Sequence, residues 1–339
     1  MNDFTYLRAG SASDALSAVA ANTGAAFIAG GTNLIDLWKY NLVHPELLVD
    51  INGLTDYKSI AENAGGGLRL GALVTNADTA YHPWIEERYP LLSKAILAGA
   101  SGQIRNMATN GGNLLQRTRC YYFYDAHAPC NKRVPGSGCS VIGGYNRMHA
   151  ILGASDQCIA VFPSDMCVAL AALAAVVNVE GPDGERSIPF ADFHRLPGDT
   201  PELDNNLRHG ELITSIDLPA KGFEKNYSYL KLRDRHSYAF ALVSVATGLE
   251  LDGDVIKTAR IALGGVAHKP WRLTEAEDFL QGKPADAQNF ALAADIILQG
   301  AVGYQHNQFK IELAKRAIVR NGLMALRPES QMPGAQPSL

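Results

Sequence analysis

No apolar stretch of this 339-residue sequence approaches the roughly 18 residues that a membrane-spanning helix needs. The longest candidate, Met166 to Val179, is Ala-rich and interrupted by Asn178. It reads as a buried helix running into a strand. Basic excess is also missing: 30 Lys and Arg stand against 34 Asp and Glu, a net charge of −4. No basic stripe exists to neutralise a phosphate backbone, so nucleic-acid binding is not expected. Met1-Asn2-Asp3-Phe4-Thr5-Tyr6 has no basic region followed by an apolar run, so no secretory signal is expected there. No Ser/His/Asp arrangement or carboxylate pair looks like a substrate-transforming site, and no catalytic residue is assigned. Cysteine is absent before Cys120 and after Cys167. An odd count of five, in a chain too large to need staples, argues against a closed disulfide framework.

What is present is a core-forming composition, 47% hydrophobic and 19% charged, enough for two or three domains. Ser13 is placed to cap a short helix carrying Ala15, Leu16, Val19 and Ala20. Phe27-Ile28-Ala29 is a short strand, Gly30-Gly31-Thr32 a tight turn, and Leu34, Leu37 and Trp38 share one helix face. Leu47 to Ile51 and Leu68 to Val74 are strands, and Thr75 caps a long helical region reaching Ile96. Gly99 to Gly112 and Cys120 to Cys158 read as loops, the second far longer than an ordinary connection. A helix starts at Ser164-Asp165 and a strand covers Ala175 to Glu180. Residues 195–211 look like a linker. Strands at Tyr227–Leu232, Phe240–Leu251 and Ile256–Val266 follow, with a hairpin at Asp252-Gly253-Asp254. Helices are expected at about Leu273–Gln281, Ala285–Gly300 and Phe309–Leu326, then a frayed tail from Pro328.

Two glycine turns share a theme: Ala29-Gly30-Gly31-Thr32-Asn33-Leu34 and Thr109-Asn110-Gly111-Gly112-Asn113-Leu114. Paired glycines permit φ > 0 and present consecutive N–H groups, a seat for a pyrophosphate beside a helix N-terminus. One such turn is commonly just a tight connection; two in one domain favour a diphosphate held from both sides. A Rossmann site is rejected, because its spacing would need glycine where Thr32 and Ile35 stand. Ser164-Asp165 alone is an N-cap pair. Lys231 and Arg233, on an alternating strand, read by themselves as solvent-facing charge.

The spacing of Cys120, Cys130, Cys139 and Cys158 lacks the paired knuckles of zinc sites and the runs of ferredoxins. A loop of about forty residues without an apolar face still needs something to offset its ordering entropy. An iron–sulfur cluster, zinc, or disulfides with one spare cysteine all remain open on spacing alone. Arg117, Arg119, Lys132, Arg133 and Arg147 are available to compensate a negative cluster. Cys167 reads as a small buried apolar residue and His149 as structural.

Four segments together, the two turns with Gln103 to Ala108, Pro163-Ser164-Asp165 and Tyr229-Leu230-Lys231-Leu232-Arg233, resemble in order the FAD motifs of the xanthine dehydrogenase family's flavin subunits. The resemblance covers nearly the whole chain. It implies an α+β fold: a vanillyl-alcohol-oxidase-type (PCMH-like) FAD-binding domain of two α/β subdomains, plus a C-terminal α+β domain of the CO dehydrogenase flavoprotein type. The expected divisions are residues 1–55, 56–222 with an insertion at about 117–160, 223–327, and a tail at 328–339. It implies FAD bound non-covalently by Ile28, Ala29, Gly30, Gly31, Thr32, Asn33, Leu34, Thr109, Gly111, Gly112 and Asn113. Asp165 would meet ribityl or ribose hydroxyls, and Lys231 would lie near the isoalloxazine.

The cysteine insertion, with Cys120-Tyr121-Tyr122, Pro129 to Arg133, Gly136 to Cys139 and His149 to Gly153, is similar to that of flavin subunits of bacterial periplasmic aldehyde oxidases. That likeness implies a [4Fe–4S] cluster on Cys120, Cys130, Cys139 and Cys158. It also implies a heterotrimer with a molybdenum-cofactor large subunit and a [2Fe–2S] small subunit, passing electrons through FAD to an external acceptor. Periplasmic placement by co-export with a signal-bearing partner is the expectation, with the cytoplasm as alternative. Rival readings are a free-standing FAD reductase of the same flavin fold, the flavin subunit of a benzoyl-CoA-reductase-like complex, and a zinc-stapled scaffold without enzymatic role.

Overall fold

The computed structural model describes residues 1–235 and 237–330. Three sheets organise it. The first is parallel: β1 (Thr5–Arg8), β2 (Ala25–Ile28) and β3 (Leu47–Asp50) lie in the order β1-β3-β2. The helix Ala12–Ala20 packs Ala15, Leu16 and Val19 onto it. Its cap is Ser11 rather than Ser13, since the Ser11 hydroxyl accepts from the Asp14 amide.

The second sheet is antiparallel: β4 (Ile60–Glu62), β5 (Leu68–Gly71), β6 (Val176–Gly181), β7 (Gly184–Pro189) and β8 (Leu212–Asp217), in the order β4-β5-β8-β6-β7. Its central strand, β8, follows the segment read as a linker. That segment is tied down rather than free, because Asp204 within it takes ion pairs from Arg117 and Lys132. The long helical region after Thr75 is three helices, Asn76–Ala80, Pro83–Arg88 and Pro90–Ala98. Pro83 and Pro90 each open a new helix, where the missing N–H costs nothing.

The third sheet is antiparallel and sandwiched: β9 (Asn226–Leu232), β10 (Val243–Asp252), β11 (Val255–Gly264) and β12 (Trp271–Arg272). The two-residue alternation sends Val243, Val245, Ile261 and Leu263 toward the C-terminal helices Ala287–Ile297 and Phe309–Ala325. Tyr229, Ala246 and Ala262 face the other way, into the core built by helices Pro90–Ala98 and Asp165–Ala172. A short 3₁₀ turn spans Pro328–Ser330; the rest of the expected tail, 331–339, lies outside the described residues.

Candidate functional site

The Gly99–Gly112 segment is not loop. Ser101 caps a helix at Gly102–Met107, and Thr109 caps another at Asn110–Leu114, its hydroxyl accepting from the Gly112 amide at 3.2 Å. Sequence reading missed both because glycine-rich turns score poorly as helix, yet each carries a Ser or Thr at N-cap. The step between these helices packs on the first glycine turn. A Cβ on Gly30 would stand 1.8 Å from the Met107 carbonyl oxygen, so only glycine allows this approach. Gly31 has φ +69°, which carries the chain into the helix at Leu34–Lys39.

The two turns thereby border one cleft of about 680 Å³, a size suited to a cofactor. Thr32 and Asn33 line it from the first turn, Gly112 and Asn113 from the second, with Asp165 and Lys231 on the far wall. Of the other expected contacts, Ile28, Ala29, Gly30, Gly31 and Leu34 are half-buried and do not line the cleft, and Thr109 and Gly111 are buried and do not line it either.

The turns differ in what their amides do. Among the described residues, no acceptor meets the N–H groups of Gly30, Gly31, Thr32 or Asn33. The Asn33 side-chain Nδ2 is also buried without a partner, although its Oδ1 accepts from the Arg117 amide at 2.9 Å. In the second turn Asn110 N donates to the Val74 oxygen, Gly111 N to the Ala72 oxygen and Asn113 N to the Thr109 oxygen. Half-buried donors without acceptors are what an anionic pyrophosphate satisfies. The first turn fits that role; the second supplies packing and the Asn113 side chain. Asn113 is held by Asn76, at 2.7 Å, and by the Ser164 hydroxyl.

Lys231 corrects the solvent-facing expectation. Its side chain is only 2% exposed and shares a face of β9 with Tyr229. Lys231 Nζ donates to Asp165 Oδ2 at 2.8 Å and to the Ala98 oxygen at 3.1 Å, and the Tyr229 hydroxyl donates to Asp165 Oδ1 at 2.6 Å. This buried pair neutralises itself, so the Lys231 charge reaching the cleft is largely compensated. Burial first, then the Asp165 carboxylate, raises the Tyr229 pKa well above its ordinary value. Cleft residues that sequence reading did not single out include Asn76, Ala100, Tyr238 and Phe240. Ala100 (φ +53°) and Tyr238 (φ +49°) hold strained left-handed backbone at the cleft edge; no glycine marks either position.

Beside the cleft the cysteine insertion folds without a sheet. Cys130 and Cys139 pair as an isolated antiparallel bridge, and Cys120 opens a single helical turn at Tyr121–Tyr124. Cys120, Cys130 and Cys158 are buried and Cys139 is half-buried. The thiols sense one another: burial pushes Cys120 up to about 12 and Cys158 to about 11, with Cys130 adding to each. Backbone amides are aimed at the sulfurs, from Phe123 and Tyr122 at Cys120, from Val141 and Ile159 at Cys139, and from Ala160 at Cys158. All five cysteines are free, and among the described residues no three His, Cys, Asp or Glu side chains are close enough for a single metal ion. Of the expected compensating cations, Lys132 acts on Cys158; Arg119 pairs with Asp36 and Arg147 with Asp234. Cys167 is fully buried in the helix Asp165–Ala172, as an apolar residue would be.

Residues 2–221 match the FAD binding domain in molybdopterin dehydrogenase, and residues 227–320 match the CO dehydrogenase flavoprotein C-terminal domain. The chain belongs to the FAD-binding molybdopterin dehydrogenase family. Within it, the chain is 49% identical to the aldehyde oxidoreductase FAD-binding subunit PaoB of Escherichia coli K12, over 94% of this chain and 96% of that one. It is 28% identical to the carbon monoxide dehydrogenase medium chain of Afipia carboxidovorans, over 94% and 96%. Among solved structures, quinoline 2-oxidoreductase from Pseudomonas putida 86 superposes with a TM-score of 0.74 at 26% identity, covering 96% of this chain and 98% of that one. The family description names FAD and no iron–sulfur group, so the cysteine pocket stands apart from what membership establishes.

Proposed function

We propose that this chain is the FAD-binding electron-transfer subunit of a multi-subunit molybdenum hydroxylase that oxidises an aldehyde. The observation that carries the reading is the cleft: free amides on Thr32 and Asn33, an unpartnered Asn33 Nδ2 and the Asn113 side chain line it in a chain of the FAD-binding family. FAD bound there supplies a carrier that accepts electrons and passes them on. The chain's own residues bind and orient it: Thr32 and Asn33 at the diphosphate, Asn113 held by Asn76 and Ser164, and the Asp165–Lys231 pair closing the far wall. The likeness to an aldehyde oxidoreductase subunit supports the aldehyde, and the likeness to medium chains supports a large molybdenum-cofactor subunit and a small [2Fe–2S] subunit as partners.

The finer reading is a [4Fe–4S] cluster on Cys120, Cys130, Cys139 and Cys158. Support comes from four thiols coupled through space, three of them receiving backbone amides as thiolate ligands do. A cluster would supply one-electron capacity and a staple for the loop. Periplasmic action by co-export with a signal-bearing partner is proposed as well; fractionation of cells expressing the whole complex tests it, and a wholly cytoplasmic complex refutes it.

Native purification with flavin, iron and partner subunits quantified tests the main reading. We expect one FAD per chain, flavin bands in the visible spectrum, and co-purifying large and small subunits. A colourless chain, or a lone monomer reducing substrate unaided, overturns it. For the cluster, C120S is expected to lose iron while C167S keeps it; equal iron in both would refute the assignment.

A further inference from the structure

Cys120 sits in the wall between the cysteine pocket and the flavin cleft. Its neighbours Arg119 and Tyr121 line the cleft, while Cys120 lines a small cavity of about 30 Å³ that shares Met148, Ser164 and Phe240 with the cleft. His149 lines the same cavity. It is 3% exposed, and neither ring nitrogen has a hydrogen-bond partner among the described residues. Leaving such a group unsatisfied costs about 1–3 kcal/mol, so native interiors meet it with ordered water. The cavity has room for one or two waters, since about 10–15 Å³ of such space takes one.

The histidine is held in place by its main chain. Its carbonyl accepts from Lys310 Nζ at 2.8 Å and from Asn307 Nδ2 at 3.2 Å. Burial, then the Lys310 charge, pushes the imidazole pKa down to about 4, so the ring is neutral, with one N–H to donate and one nitrogen to accept. Cys120 faces the Phe123 and Tyr122 amides on its own turn and also lines this cavity.

We propose that His149 is a positioning residue for the Cys120 sulfur: the imidazole N–H donates to a water in this cavity, and that water in turn donates a hydrogen bond to the thiolate. The inference rests on the four-cysteine reading. Hydrogen bonds to sulfur ligands stabilise the more negative, reduced state of an iron–sulfur group and so raise its potential. His149 therefore tunes the group to deliver or accept electrons at the flavin, a role that a loop staple does not need.

The test is an EPR-monitored redox titration of the native complex, with iron and flavin measured on the same samples. H149L is expected to move the iron–sulfur midpoint to a more negative value, with iron and flavin content unchanged. H149Q keeps an N–H donor and is expected near the wild-type value. Ala241→Val adds two methyl groups at the wall of the cavity while keeping His149 in the sequence; it is expected to shift the midpoint as H149L does, and it carries the test should H149L fail to fold. Unmoved midpoints in H149L or A241V with full iron overturn the role of His149 and leave the four-cysteine reading standing. Wild-type complex whose flavin chain holds no iron overturns both.

Discussion

The two glycine turns look interchangeable in sequence and are opposites in the fold. Gly30-Gly31-Thr32-Asn33 presents four amides with no acceptor among the described residues, whereas Asn110, Gly111 and Asn113 give theirs to Val74, Ala72 and Thr109. Gly-Gly is therefore two devices. In the first turn it lets the backbone approach Met107 while leaving its N–H groups without an acceptor among the described residues. In the second it lets a helix begin hard against the end of β5, where a Cβ on Gly111 would meet the Ala72 Cβ at 3.1 Å. A similar local motif leaves its amides open or closes them according to what stands opposite it.

The strongest way to break this comparison is Gly30→Ala. The added Cβ would collide with the Met107 carbonyl, which is backbone and has little freedom to yield, so we expect flavin lost on purification and stability lowered by about 3 kcal/mol or more. Flavin retained at one per chain would mean the turns are not locked together. Next is the response to acid of the second turn. His194, in contact with the Leu114 carbonyl at 2.9 Å, has its pKa pushed down to about 4, chiefly by burial. The unfolded chain binds this proton from about pH 6.5 downward and the folded chain only near 4. Stability is thus fully present above 6.5 and falls as pH drops toward 4, by about 2–3 kcal/mol from this group. Denaturant midpoints measured across that window should slope, and His194→Asn should flatten the slope.

Gly111→Ala sharpens the contrast at smaller scale. The 3.1 Å contact requires Ala72 to give by a few tenths of an ångström, and we expect a loss of about 1–2 kcal/mol in thermal or chemical unfolding with FAD affinity nearly unchanged. The converse is Asn33→Ala, which removes the unpartnered Nδ2. It should weaken FAD about tenfold, roughly 1.4 kcal/mol, and lower the stability of the cofactor-free chain by about 1 kcal/mol through the lost Oδ1 acceptor of the Arg117 amide. Titration calorimetry on both variants checks the pair; similar affinity losses in the two would erase the distinction.

Much of the fold was legible because its elements carry strong local signals. Leu34, Leu37 and Trp38 mark a helix, Asp252 to Asp254 a hairpin, and Ser164 a cap, and all three stand where expected. The misses have physical causes too. β7 and β8 sit next to charged, Gly- and Pro-rich stretches that masked them, although β8 is central to its sheet. The helices at Gly102–Met107 and Asn110–Leu114 contain the residues least suited to helix and exist through their caps and packing.

The sequence by itself determined the family and the segments that border the cleft, since those motifs are contiguous and ordered along the chain. Only the tertiary structure decided which amides are open, that Lys231 is buried against Asp165, and that Cys120 and His149 share a cavity. The reason is that satisfaction of a polar group depends on its partner, and here the partners come from distant parts of the chain: Ala72 for Gly111, Asp165 for Lys231. Periodicity and spacing describe neighbours along the backbone; hydrogen bonding and burial are settled by neighbours in space.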